Sequence, residues 1–349
     1  MEMKGGNEMR IAVVGAGSMG MIIGALLTRG GEDIVLVDVN EPHIKAMNEK
    51  GARITGHMEV TVPVKAITPS QMEGIYDLVI YLAKTVYDDK ALPEILPFIG
   101  DDSTVLTLQN GVPEERVAAV VGRERTLGGA IGWGATLQEP GVSELTSELE
   151  VMTYDVGEMD GSETERVRKI KEILDKAGKA ELTTNLIGVR WTKLMVNVSF
   201  SGLGAALNCT YGEILDNDKA IVAATSIIVE TIKTARALGV TMEPMQGVDP
   251  GVMLDIIKES EENALNVIKM VFGHHRDLVA SMLQDLRKGI PCEVDTLNGY
   301  LSDKSVEAGV PTPVNDKVTE IIRGIEAGRY SLSFDNLGMI EVRPLQEIV

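Results

Sequence analysis

Positive charge is what this chain has least of. Lys and Arg number 33 against 52 Asp and Glu, a formal net charge of −19, so it carries no basic footprint for a nucleic acid. Aromatic residues make up 4%, which removes the stacking platforms that single strands need. Cysteine occurs twice, as Cys209 and Cys292. Two cysteines build no disulfide framework, and neither has a neighbour at Cys-x-x-Cys spacing, so a reducing, cytoplasmic setting and no metal site are expected. No apolar run reaches the length of about 18 residues that a membrane span needs; Ile221–Ala235 is interrupted by Thr, Ser and Glu. Met1–Arg10 mixes charge and glycine without an apolar stretch, unlike a signal peptide, and Met9 offers an alternative start. What remains is ordinary globular composition, 44% hydrophobic over 349 residues, enough for two domains and too apolar for a disordered chain.

Short β-branched runs alternate with helical patterns in the first half. Strands are expected at Arg10–Val14, Ile34–Asp38, Leu78–Leu82, Thr104–Leu108 and Ala180–Thr183, and helices at Met19–Thr28, Glu41–Glu49 and Glu163–Ala177, with a glycine-rich, strand-like stretch over Gly128–Tyr154. This alternation predicts an α/β fold, a Rossmann-type doubly wound parallel sheet covered by helices. Beyond about Asn185 strand signals vanish. Helical periods follow at roughly 186–207, 218–238, 250–271, 275–288, 293–308 and 314–327, and Tyr330–Val349 reads as irregular packing or a tail. The expected division is residues 1–184 as a dinucleotide-binding domain and 185–349 as an all-helical, substrate-binding and catalytic domain.

Gly15-Ala16-Gly17-Ser18-Met19-Gly20 follows the first strand and opens the first helix. Gly15 permits the tight turn, Gly17 lets backbone approach a pyrophosphate, and Gly20 lets helix and strand pack closely. The phosphates would meet the free N–H groups of the helix start, at Ser18 and Met19. Asp38 ends the second strand, 18 residues past Gly20. A carboxylate there accepts the ribose hydroxyls of NAD and repels a 2′-phosphate, so NAD(H) is expected over NADP(H); a turn or capping aspartate is the plainer alternative. Lys45 reads as a solvated helix lysine.

Reduction of a carbonyl builds negative charge on oxygen, so the protein must supply a proton. His43 and His57 stand in peripheral contexts and His274-His275 at a glycine-broken helix start, which makes a lysine the better donor. In a continuous helix Lys193, Asn197 and Ser201 recur every four residues along one face, amid apolar Leu194, Met195, Val196, Val198 and Phe200. A polar stripe on a buried helix needs partners or a ligand; a lysine snorkelling to the surface is the alternative.

Several segments together resemble the ketopantoate reductase family, which includes related NAD-linked D-2-hydroxyacid dehydrogenases. They are Gly15-x-Gly17-x-x-Gly20, Lys84 after the third expected strand, Gln109-Asn110-Gly111, Trp191-x-Lys193-Leu-x-x-Asn197, Ser281-Met-Leu-Gln-Asp-Leu-Arg287, and Glu293-Val-Asp295 with Asn298-Gly299. The likeness runs over about residues 10–325. It implies that Lys193 is the general acid and that Glu293 accepts the substrate hydroxyl and helps hold Lys193. It implies further that Asn110 orients the nicotinamide side, that Asn197 and Ser201 contact substrate, that Ser281 binds its carboxylate, and that Lys84 contacts cofactor or carboxylate. Cys292 reads as packing, and Glu293 also as a first-turn helix carboxylate. Asp285 and Arg287 read as a structural ion pair with the lysine-bearing helix or as a solvated face.

The sequence departs from the family pattern at three places. Asp38 stands where NADPH-using members carry a basic residue, Ser201 where many carry a second asparagine, and Leu278 where members specific for ketopantoate often have asparagine. The expected activity is reduction of a 2-keto acid, foremost 2-dehydropantoate to (R)-pantoate, in a cleft between the domains. NADP(H) is the family's alternative cofactor. The rival readings are a branched-chain or aromatic D-2-hydroxyacid dehydrogenase and a non-catalytic dinucleotide sensor. The expected partner is a small 2-keto acid, and the buried helices of the second half allow a homodimer.

Overall fold

Short runs of Val, Ile and Leu, closed by glycine or charge, make strands that are buried on both faces. The computed structural model describes residues 9–349; the expectations about the leading segment fall largely outside the described residues. Two compact units result, one ending at Leu186 and the other beginning at Ile187.

In the first unit the chain runs β1 (Arg10–Val14), α1 (Ser18–Arg29), β2 (Asp33–Val37), α2 (Glu41–Lys50), β3 (Ala52–Gly56), β4 (Val60–Val62), β5 (Lys65–Ile67), β6 (Tyr76–Tyr81) and α3 (Asp88–Ile95). It continues with β7 (Ile99–Thr107), α4 (Glu114–Val121), β8 (Thr126–Ile131), β9 (Ala135–Glu139), β10 (Val142–Leu145), β11 (Thr153–Gly157), α5 (Glu165–Leu174) and β12 (Lys179–Leu182). The main sheet has the order β12-β11-β8-β7-β6-β1-β2-β5. Its neighbours are parallel except for β8 and β11. The chain winds from β1 to β2 on one side and later places β6 on the other. The crevice outside the carboxyl ends of β1 and β6 is therefore the topological switch point, where such sheets bind ligands.

A second sheet, β4-β3-β10-β9, was not expected. Ala52–Ile67 carries no long apolar run, and the strand-like stretch over Gly128–Tyr154 resolves into four strands shared between two sheets. Alternation is weak there because each strand is only three to six residues long. Apolar residues from the small sheet (Ile54, Val62 and Leu145) join Met21, Ile22 and Leu26 of α1 in one core cluster with Ile11, Val13 and Leu36 of the main sheet.

The second unit contains α6 (Leu186–Val196), α7 (Gly202–Leu207), α8 (Tyr211–Leu215), α9 (Asp218–Ala237), α10 (Pro250–Glu259), α11 (Glu261–Phe272), α12 (Ser281–Lys288), α13 (Asn298–Ala308), α14 (Pro313–Glu326) and α15 (Leu345–Ile348). Among its described residues there is no strand, only a bridge between Met245 and Val248. Helix α9 is buried nearly all round, and its hydroxyls turn inward: Thr225, Thr231 and Thr234 donate to the carbonyls four residues earlier. The period expected over 250–271 is two helices, because Ser260 leaves α10 in extended conformation and its hydroxyl caps α11. The period expected from 293 begins at Asn298. Glu293 therefore lies before α13, in a turn where its carbonyl accepts the N–H groups of Thr296 and Leu297. It is not a first-turn helix residue. The tail is ordered: Leu345 is buried, and Asn336 Nδ2 donates to the Ala206 carbonyl at 2.9 Å. Among the described residues no helix is long and apolar enough to cross a membrane.

Candidate active site

The candidate groups of the first unit are mostly backbone. The Gly15 and Ala16 N–H groups both donate to the Val37 carbonyl, at 2.9 and 3.1 Å, which ties the loop after β1 to the end of β2. Gly15 has φ +89°, and a Cβ there would collide with the backbone of Ala83, so no other residue fits this turn. A Cβ on Gly20 would strike the Gly15 carbonyl, whereas one on Gly17 would meet nothing within 4 Å. The loop is thus closed behind and open in front. Gly17 caps α1 without a side-chain bond and no acidic residue lies in the first turn, so the N–H groups of the helix start, at Ser18 and Met19, suit an anion. This arrangement fits a dinucleotide pyrophosphate.

Asp38, Lys84 and Asn110 stand at the carboxyl ends of β2, β6 and β7, around the same crevice. Asp38 Oδ1 accepts the Asn40 N–H at 2.9 Å, and Asn40 caps α2 by accepting the His43 N–H. The turn reading and the ribose reading of Asp38 are therefore compatible, one oxygen serving each. Between Lys84 and Asn110 lies a buried polar network that sequence reasoning missed. Asp88, 3% exposed, accepts from Tyr81 Oη (2.9 Å), Gln109 Nε2 (2.7 Å) and Arg116 Nε (2.8 Å). Gln109 Nε2 also donates to the Ala83 carbonyl at 2.7 Å, so the loops bearing Lys84 and Asn110 are bound to each other. Burial raises the Asp88 pKa, while Gln109, Arg116 and Tyr81 pull it back.

His43 also differs from its expected place. It is not peripheral: it is 1% exposed, with its ring bonded to Ala16 and Gly141. Lys45 pairs with Glu49 on the solvated face of α2, as expected.

The candidate groups of the second unit are side chains. Lys193 is half-buried on α6, and Arg190, one turn earlier, is 0% exposed, a buried charge that needs a partner. Sequence reasoning passed over Arg190, although a charge inside an apolar helical run is itself a signal. After Val196 the α-helix gives way to a π turn over Asn197–Ser201 before α7 resumes. The four-residue stripe is broken there. Asn197 follows Lys193 by one α-turn, but Ser201 is rotated onto Tyr211, their hydroxyls 2.7 Å apart. Asn197 Nδ2 is a buried donor without a partner, a state that calls for an acceptor. The carbonyl of Val198, inside the π turn, accepts from Asn298 Nδ2 at 3.0 Å. A Cβ on Gly202 would lie 2.7 Å from that amide nitrogen, so glycine there makes room for Asn298. Ser281 is the exposed first residue of α12, and Glu293 is buried. Cys292 is buried, and burial drives its thiol pKa far up, in keeping with packing. Arg287 is exposed, on a solvated face, and donates to Asn208 Oδ1 at 2.8 and 3.0 Å. Among the described residues no group of side chains could hold a metal ion.

Both halves match one family. The model of ketopantoate reductase PanE/ApbA matches residues 11–160, and that of its C-terminal part matches residues 185–326. A 2-dehydropantoate 2-reductase of Pyrococcus horikoshii is 30% identical over 323 residues, covering 91% of this chain and 98% of its own. Among solved structures, D-mandelate dehydrogenase with NADH and anilino(oxo)acetate superposes with a TM-score of 0.79 at 25% identity, covering 92% of this chain and 99% of its own. The 2-dehydropantoate 2-reductase of Geobacter metallireducens gives 0.78 at 26%, covering 90% and 99%. With its glycine loop, its lysine helix and both segments in their expected order, the chain belongs to the ketopantoate reductase family.

Proposed function

We propose that this protein reduces a 2-keto acid to the 2-hydroxy acid, with 2-dehydropantoate as its substrate and NADH as its preferred reductant. The relatives' activities support the reaction class. The observation that carries the site is the buried, unpartnered Nδ2 of half-buried Asn197, on a π turn one turn after Lys193; π turns recur at functional sites. The nicotinamide, when bound, supplies hydride to the carbonyl carbon. Lys193 Nζ gives its proton to the ketone oxygen as charge develops there. Glu293 accepts from the nascent hydroxyl and from Lys193. Asn197 Nδ2 donates to the substrate, and Ser201 acts jointly with Tyr211. Ser281, at the start of α12, donates to the carboxylate with the helix N–H groups behind it. On the cofactor side, Gly15 to Gly20 cradle the pyrophosphate, Asp38 takes the ribose hydroxyls, and Lys84 and Asn110 hold the nicotinamide end. NADP(H) is the alternative that Asp38 disfavours.

A second reading, a D-2-hydroxyacid dehydrogenase of apolar keto acids, is favoured by one feature. Ser201 is spent on Tyr211, beside a stack of Phe200 on Phe272 with centroids 3.9 Å apart. A panel with NADH separates the two: ketopantoate, 2-ketoisovalerate, 2-ketoisocaproate and phenylglyoxylate. Ketopantoate is expected to give the highest kcat/KM. A preference for phenylglyoxylate moves the assignment to the second reading. Tight NADH binding with no turnover of any keto acid overturns both in favour of a sensor.

A further inference from the structure

We propose that His43 is a positioning residue for the cofactor: its ring sets the direction in which the phosphate-binding loop presents its backbone N–H. This rests on the reading above that the Gly15–Gly20 loop takes a dinucleotide.

The two ring nitrogens have unambiguous partners. Gly141 N–H reaches Nδ1 at 2.9 Å, and a backbone amide can only donate, so Nδ1 carries its lone pair. Nε2 lies 2.8 Å from the Ala16 carbonyl, which can only accept, so Nε2 carries the hydrogen. The ring is a neutral bridge, a donor to the loop and an acceptor from the β9–β10 turn.

Each anchor is itself fixed. The Gly141 carbonyl accepts from Arg53 N–H of β3 at 2.9 Å. Gly141 has φ +79°, and a Cβ there would stand 2.9 Å from Ala46 Cβ on α2, so the turn can approach His43 only as glycine. A second tie runs parallel, Ser143 Oγ of β10 donating to the Ser18 carbonyl at 3.0 Å. The small sheet thus holds the loop at two successive places, and His43 is the longer link.

Peptide planarity turns this clamp into a functional device. In a trans peptide the N–H points opposite to the C=O. With the Ala16 carbonyl held by His43, the Gly17 N–H of the same peptide unit points away from His43, and a Cβ at Gly17 would meet nothing within 4 Å, so the backbone there is open to a ligand. That N–H is among the orphan donors at the start of α1. Released from His43, the Ala16–Gly17 peptide can rotate, and the donor no longer waits in position, so cofactor binding has to order it.

Three substitutions resolve the clamp. His43→Gln offers one acceptor and one donor at the reach of Nε2. His43→Asn keeps an acceptor near Nδ1 for Gly141 and cannot reach Ala16. His43→Phe keeps the volume and removes both bonds. NADH dissociation constants by fluorescence titration are expected to rise about tenfold in His43→Asn and His43→Phe, and less than threefold in His43→Gln, about what one or two buried hydrogen bonds govern. Melting temperature is expected to follow a different order, with His43→Asn above His43→Phe, so binding and stability part company at asparagine. At saturating NADH, kcat should stay within twofold in all three. NADH affinity in His43→Asn equal to that of His43→Gln overturns the proposal, as does a loss of kcat at saturating cofactor. Should His43→Phe fail to fold, the asparagine–glutamine pair decides alone. Wild-type protein that binds neither NADH nor NADPH refutes the dinucleotide reading instead, a result visible before any variant is made.

Discussion

The two units offer candidate groups of different material. In the α/β unit, the proposed phosphate cradle is backbone: two N–H groups on Val37, a glycine turned to φ +89°, and an open glycine at the cap of α1. In the helical unit, the candidate groups are side chains whose directions depend on helical register. A backbone site is written in glycine spacing, because only glycine permits the turn and the close approach. A side-chain site depends on the period of its helix, and a single π turn rewrites that period. The contrast also predicts how the halves fail. The first should lose affinity in small steps, and the second should lose rate in large ones.

The largest effect is expected at Lys193. Lys193→Ala should lower kcat by about 10² or more while NADH affinity holds, as loss of a general acid does; stopped-flow turnover with ketopantoate checks this, and near-normal kcat removes Lys193 from the proton-donor role. Next, Asp38→Arg should move the preference between NADH and NADPH by about tenfold if, as proposed, this one side chain of the α/β unit reads the ribose. Unchanged selectivity in paired kcat/KM measurements would show that another group reads it. Gly202→Ala should then cost about 1–3 kcal/mol of stability as the added methyl meets the Asn298 amide. By displacing the π turn it should raise the keto-acid KM with the NADH dissociation constant untouched. An equal loss in both would mean that the two halves are not separable in the way their construction implies.

The smallest expected effect concerns pH. Glu230 on α9 accepts from the N–H groups of Val314 and Asn315 at 2.9 Å each, and burial pushes its pKa up to about 8, above the usual 4.5. A carboxyl whose folded pKa is raised stabilises the fold below its unfolded value and loses that contribution as pH climbs through the folded one. The melting temperature of the wild type should therefore decline between about pH 5 and 8 more steeply than that of Glu230→Gln. Parallel slopes in a thermal-shift series would contradict the assignment.

How legible this was from sequence follows the same division. Strands β1, β2, β6 and the carboxyl-terminal part of β7 were readable because each is an apolar run ended by a polar loop, and the glycine loop because its spacing encodes its conformation. The strands of the small sheet were not, since segments of three to five residues give alternation too little length to register. His43 was misplaced for a related reason. Nothing in Glu41-Pro42-His43-Ile44 announces a partner 98 residues away, and a histidine near a helix start reads as surface. Ser201 was placed on the stripe by a helical period that holds only as far as Val196. Lys193 lies before the change and Asn197 is its first residue, so only one α-turn separates them.

The small sheet has a consequence for how the protein is made. Strand β10 pairs with β3 in parallel, Val142 beside Arg53, so nearly ninety residues must leave the ribosome after β3 before that pairing can begin. Until then α1 lacks the part of its cover that β9 and β10 supply, and the Gly141 N–H that holds His43 does not yet exist. Long-range pairings of this kind are slow to close, and N-terminal segments wait exposed during synthesis. The loop encoded first, within the opening twenty residues, is therefore among the last parts of its unit to acquire its working shape, and a nascent chain halted before the β9–β10 turn would carry the glycine motif in full without its clamp.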